Sequence, residues 1–167
     1  MQVRLPSGLL VAGVLCLGVL VGGCSSAATP TPPPGSSQAT AERIFRTLVA
    51  AQEQGHVSAA AWVESTFGEY QAIQSPEERH TPAGASPSDK VIVVKLYGQF
   101  PNAHSGPKDV NKDANVIVQC YDLALETPLE TIYYAGPEPA DIPAAPMSSG
   151  ETYLDLRKLG TPALIHP

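Results

Sequence analysis

Apolar positions between residues 40 and 54 recur every three to four residues. Ile44 pairs with Leu48 and Phe45 with Val49, while Arg43, Arg46 and Glu53 fall outside that stripe. This is the period of an amphipathic helix. Thr40 is placed to cap it, Glu42 suits its first turn, and Gly55 is a natural stop, so the pattern predicts a helix over 41–54. Further on the period changes to two. In 91–100, Ile92, Val94 and Leu96 share one face, and Val91, Val93, Lys95 and Tyr97 the other. In 116–125, Val116, Val118 and Cys120 lie opposite Ile117, Gln119, Tyr121 and Leu123. Both segments predict strands. A third strand is expected over 131–135, after a turn at Glu126-Thr127-Pro128-Leu129-Glu130, and a short edge strand over 152–156.

Residues 57–74 fit both periods. Val63, Phe67 and Tyr70 have helical spacing, yet Gly68 interrupts and Val63, Thr66, Phe67 and Tyr70 also suit a strand. The reading favours a short helix through Trp62, then an extended piece. Proline, glycine and charge make 75–90, 101–114 and 136–150 loops. One helix followed by antiparallel strands implies an α+β domain over 40–167. In it an N-terminal helix packs on a curved antiparallel sheet of three to four strands.

The stretch from Val91 to Phe100, ending Gly98-Gln99-Phe100, and the hairpin from Val116 to Tyr134 resemble small PepSY-type exported domains. They also resemble Gram-positive surface proteins that carry a valine-rich strand, Gly-x-Phe, a long loop and a hairpin. Trp62-Val63 fits that plan. Asp122 is displaced from the PepSY-type turn, and Pro128 stands where glycine would be. The resemblance implies a binding or regulatory module rather than a catalyst.

The N-terminus has a different character. Arg4 precedes an uncharged apolar run of 13 residues, Leu9 to Val21, which is shorter than the roughly 20 residues of a membrane span. The run closes as Leu20-Val21-Gly22-Gly23-Cys24. That ending resembles a bacterial lipoprotein signal. The resemblance implies cleavage after residue 23 and a thioether-linked diacylglyceride on Cys24, with the mature chain held on the outer, extracytoplasmic face of the cell membrane. The other reading is an ordinary secretory signal cut near Gly23 or Ala27-Ala28. Residues 24–39, small, polar and proline-rich, form a tether that cannot bury enough apolar surface to fold.

From Cys24 onward nine basic residues face sixteen acidic ones. Scattered acidity argues against nucleic acid as a partner and against docking on anionic lipid by charge. Cys16 leaves with the leader and Cys24 is the lipid site, so Cys120 stands alone. Its position in an alternating strand marks it as a buried structural thiol. His56, His80, His104 and His166 fall in loops or ends without metal-ligand spacing, and Glu77, Glu78, Glu126 and Glu130 read as solvated turn residues. No nucleophile elbow, phosphate loop or dinucleotide fingerprint occurs, and no cofactor or metal is expected.

The two long loops, 101–114 and 136–150, are expected to leave the same end of an antiparallel sheet. They would present His104, Lys108, Lys112, Asp141, Ile142 and Met147 as a recognition surface. The expected function is a membrane-anchored binding or accessory module of the cell envelope, with another envelope protein as partner. The alternatives are an exported hydrolase and a structural envelope component.

Overall fold

The computed structural model describes residues 32–52, 54–76, 78–103, 113–134 and 154–166. Cys24 and the loop residues His104, Lys108, Lys112, Asp141, Ile142 and Met147 lie outside them. The compact unit spans Pro32–Pro167. Its elements are α1 (Ser37–Ala51), β1 (His56–Thr66), α2 (Phe67–Ile73), β2 (Lys90–Phe100), β3 (Ala114–Asp122), β4 (Thr127–Tyr134), a 3-10 turn (Leu156–Lys158) and β5 (Ala163–Ile165). The strands form one open antiparallel sheet in the order β4-β3-β2-β1-β5. Among the described residues there are five strands rather than three to four.

α1 buries Ala41, Ile44, Phe45 and Leu48, the expected stripe. It begins earlier than expected because Ser36, not Thr40, is the cap. The Ser36 hydroxyl accepts from the Ala39 amide at 3.2 Å, so residues 37–39 belong to the helix rather than to the tether. The helix ends at Ala51, with Gln52 as its C-cap, short of the expected Gln54.

Residues 57–74 reverse the expected order: the strand comes first and the helix second. Ala60 and Trp62 face α1, whereas Ala61 and Val63 face the opposite side, so β1 is packed on both faces. Thr66 then ends the strand and starts α2 through a capping box. Its hydroxyl accepts from the Glu69 amide at 3.3 Å, and the Glu69 carboxylate accepts from the Thr66 amide at 3.2 Å. Gly68 interrupts the helical pattern because Pro87 packs there; a Cβ would lie 3.0 Å from the Pro87 carbonyl oxygen.

β2 and β3 follow the alternation read from sequence. Ile92, Val94, Leu96, Ile117 and Tyr121 pack under α1. Val91, Val93, Tyr97, Val116, Val118 and Cys120 pack on the other face, beneath Phe67 and Tyr70 of α2 and beneath Leu154 and Leu156. Covering both faces explains why β2 is apolar almost throughout. Of its two lysines, Lys90 is exposed at the start of the strand and Lys95 is fully buried; Lys95 Nζ donates to the Leu154 carbonyl at 2.5 Å and lies 5.7 Å from the Tyr97 ring centre.

The hairpin turn falls at 123–126 rather than 126–130. Asp122 Oδ1 accepts from the amides of Ala124 and Leu125 at 2.7 and 2.8 Å, and Glu126 takes a positive φ of 51°. Strand β3 therefore stops at Asp122, short of the expected Leu125. Pro128 sits inside β4, which tolerates it because β4 is an edge strand. The other edge strand is β5, paired to β1 through Ala60–Trp62; of the expected 152–156 strand, residues 152–153 lie outside the described residues, Leu154 and Asp155 are not in a strand, and Leu156 opens the 3-10 turn. Among the described residues no helix is long and apolar enough to cross a membrane.

Candidate functional site

The sheet has two dissimilar ends. At one, Thr66 pairs with Lys90, and Ser37 Oγ at the start of α1 donates to Glu64 Oε2 at 2.5 Å. The chain enters the compact unit here. At the other, His56 pairs with Gln99, Phe100 with Ala114 and Val116 with Tyr134. The stems of both long loops therefore leave from this second end, as the antiparallel order requires.

That second end is shaped by a bulge. The β1–β2 register slips between Val57 and Ala59, leaving Ser58 out of the ladder with its hydroxyl donating to the Tyr97 carbonyl at 3.3 Å. The strands close so tightly beside it that a Cβ on Gly98 would stand 1.8 Å from the His56 carbonyl oxygen. Beyond Phe100, Asn102 adopts a positive φ of 59°, and its amide donates to Asp113 Oδ1 at 3.2 Å. This bond closes the neck of the 101–113 connection before β3 begins.

Bulge and neck enclose a cleft of about 430 Å³ lined by Gln54, His56, Gln99, Pro101, Asp113 and Asn115, with Phe100 and Ala114 in its floor. A shallower hollow of about 260 Å³ shares Gln54 and Pro101 with it and adds Gln52 and Asn102. Three carboxamides, Gln54, Gln99 and Asn115, thus line the cleft, and Gln52 and Asn102 line the adjoining hollow. Phe100 and Ala114 are buried to 0% and 2% exposure, so the floor belongs to the core and the walls are polar apart from Pro101. Of these wall residues the sequence reading weighed His56, and only as a loop histidine without metal-ligand spacing; it gave the carboxamides no role. They lie in three separate segments and share no motif.

A second polar cluster lies on the face covered by α2. Glu130 accepts hydrogen bonds from Tyr70 Oη at 2.9 Å and Gln74 Nε2 at 2.6 Å, and its other oxygen lies 3.0 Å from His80 Nδ1. The Glu130 side chain is 9% exposed, which corrects its reading as a solvated turn residue; His80 is 62% exposed. The hairpin register accounts for the difference, since Glu130 pairs with Cys120 on the inner face. Among the described residues no hydroxyl or thiol bonds the His80 imidazole, so it activates no nucleophile. It fastens the 75–89 connection and α2 to β4.

Cys120 is fully buried, as its strand position implied. Burial first, and then the charges of Glu130 and Asp122, push its thiol far above the usual range, the reverse of what a nucleophile needs. Burial and then Glu130 likewise raise the Tyr70 phenol. Among the described residues no group of three or more His, Cys, Asp or Glu side chains is set to hold a metal ion. No protein-family model, curated protein or solved structure matches the chain.

Proposed function

We propose that this chain is a lipid-anchored extracytoplasmic binding module of the bacterial cell envelope, tethered through Cys24, that recognises its ligand or envelope partner at the cleft-bearing end of the sheet. The observation that carries this reading is the polarity of the compact unit. The chain enters at the Glu64/Lys90 end, and the cleft lies at the opposite end, ten rungs along β1 and β2. At about 3.4 Å per residue, roughly 30 Å separates them. Since α1 starts beside Glu64, a tether to Cys24 would join the compact unit at the end away from the cleft. A hydrolase would have to rest on His80 and Glu130, and the groups beside Glu130, the Cys120 thiol and the Tyr70 phenol, are buried and pushed away from the reactive anion, so binding is the better reading.

The test has two parts. Mass spectrometry of the membrane-extracted protein should show a mature N-terminus at Cys24 carrying acyl chains, and Cys24→Ala should leave uncleaved or mislocalised precursor. In intact cells or protoplasts, a small maleimide probe should label a cysteine introduced at Gln99 from outside. A mature N-terminus other than an acylated Cys24 overturns the anchor, and a Gln99 position closed to the probe overturns the exposed cleft.

A further inference from the structure

We infer that the cleft takes a neutral, polyhydroxylated ligand, a glycan rather than a peptide or a charged metabolite. The inference rests on the binding-module reading and names the chemistry of its site.

Charge comes first. The described lining holds no lysine or arginine to meet an anion. Beside its amides it holds one imidazole, His56, and one carboxylate, Asp113, whose Oδ1 accepts the Asn102 amide, so no cluster of like charges faces a ligand. An ionic ligand would leave water without a matched partner, which is costly.

Peptide recognition comes next. A peptide main chain usually adds to an unpaired strand edge. Here the cleft opens between the ends of β1, β2 and β3 rather than along the outer edge of a strand; β5 flanks β1 only at Ala60–Trp62, and β4 flanks β3. The ladder bonds at this end are taken by His56 with Gln99 and Phe100 with Ala114. Side-chain recognition would need an apolar pocket, and the only apolar groups of the floor, Phe100 and Ala114, are sealed in the core.

What the walls do offer is the carboxamide. Gln54 and Gln99 in the cleft, with Gln52 and Asn102 in the adjoining hollow, each hold a donor and an acceptor side by side. A vicinal diol presents the same pairing, so one amide takes two neighbouring hydroxyls at once. The volume lies within the roughly 300–1,000 Å³ of small-molecule clefts. The rim is held by the Asn102–Asp113 bond and the Ser58–Tyr97 bond, so little ordering is needed on binding.

The experiment is an NMR titration of the full mature lipoprotein, nitrogen-labelled, in a zwitterionic detergent that carries no sugar. Chitotetraose and maltotetraose are the probes, with an uncharged tetrapeptide in parallel. Saturable shifts at the side-chain amides of Gln54, Gln99 and Asn115 on adding a tetrasaccharide are expected. Gln99→Ala and Gln54→Ala should each weaken that binding about tenfold while leaving the rest of the spectrum unchanged. Gln54 lies outside the strands, which keeps the test open if Gln99→Ala misfolds. Shifts from the tetrapeptide alone would overturn the glycan assignment and leave the binding cleft standing. Silence of all three amides toward every probe would overturn both.

Discussion

Tyr70 of α2 and Glu130 of β4, sixty residues apart, are joined by a 2.9 Å hydrogen bond from phenol to carboxylate. Gln74 donates to the same carboxylate oxygen at 2.6 Å. The short helix α2 is held over the sheet by this buried carboxylate as well as by its apolar side chains. Removing the phenol in Tyr70→Phe is expected to cost about 1.5–3 kcal/mol, the usual worth of a bond to a charged group. Glu130→Ala should cost more, because it strands two buried donors. Urea unfolding of the mature protein measures both. Equal stability of Tyr70→Phe and the parent would show that the bond contributes nothing net.

The buried thiol and phenol set the alkaline limit of stability. Both bind their protons more tightly in the folded chain than in the unfolded one, since burial raises both. Their stabilising contribution is complete below the ordinary thiol range, about pH 8.5, and is lost as pH rises beyond it. Cys120→Ala should flatten the loss between about pH 8.5 and 10, with the Tyr70 share remaining above that. Cys120→Ser should cost roughly 1–3 kcal/mol by burying a hydroxyl. Native Cys120 should react with a thiol reagent only as fast as the protein opens; rapid labelling would contradict its burial.

Gly98→Ala puts a methyl group against the His56 carbonyl, a backbone atom in a paired strand that cannot step aside. A loss of about 1–3 kcal/mol is expected from such overpacking, together with a reshaped cleft. Ser58→Ala, which removes only the bulge hydrogen bond, should cost about 0.5–1.5 kcal/mol. Thermal melts of the two variants side by side decide the matter. A Gly98→Ala protein that melts with the parent would mean that the bulge relaxes freely.

The closed neck at Asn102 and Asp113 makes the intervening segment separable from the fold. Replacing residues 104–112 with a short Gly-Ser link should leave the melting temperature nearly unchanged, because loop closure entropy varies slowly with length. Asp113→Ala, in contrast, opens the neck and should cost about 1 kcal/mol. A large drop in melting temperature on shortening the segment would show that it is packed structure. Glycan binding measured on the same shortened variant tells whether His104, Lys108 and Lys112 add to the cleft.

The amino-acid sequence by itself determined the elements whose apolar residues are periodic. The α1 stripe is legible because one face of that helix meets the sheet and the other meets water. The faces of β2 and β3 are legible because Val, Ile and Tyr alternate there without a break. Residues 57–74 were not legible. Covered on both faces like β2, β1 has no polar face to show a period, and its Ala59-Ala60-Ala61 lacks the Val and Ile that mark β2 as a strand; Thr66 through Glu69 carried the one readable mark, a capping box. The tertiary structure alone decided the rest. Glu130 is a buried anchor because the turn bonded to Asp122 shortens the hairpin and sets it opposite Cys120, a register that no local preference of Pro128 reveals. The cleft likewise depends on long-range placement. Gln54, Gln99 and Asn115 look like surface amides in the chain, and they meet only because β1, β2 and β3 end together around the bulge at Gly98.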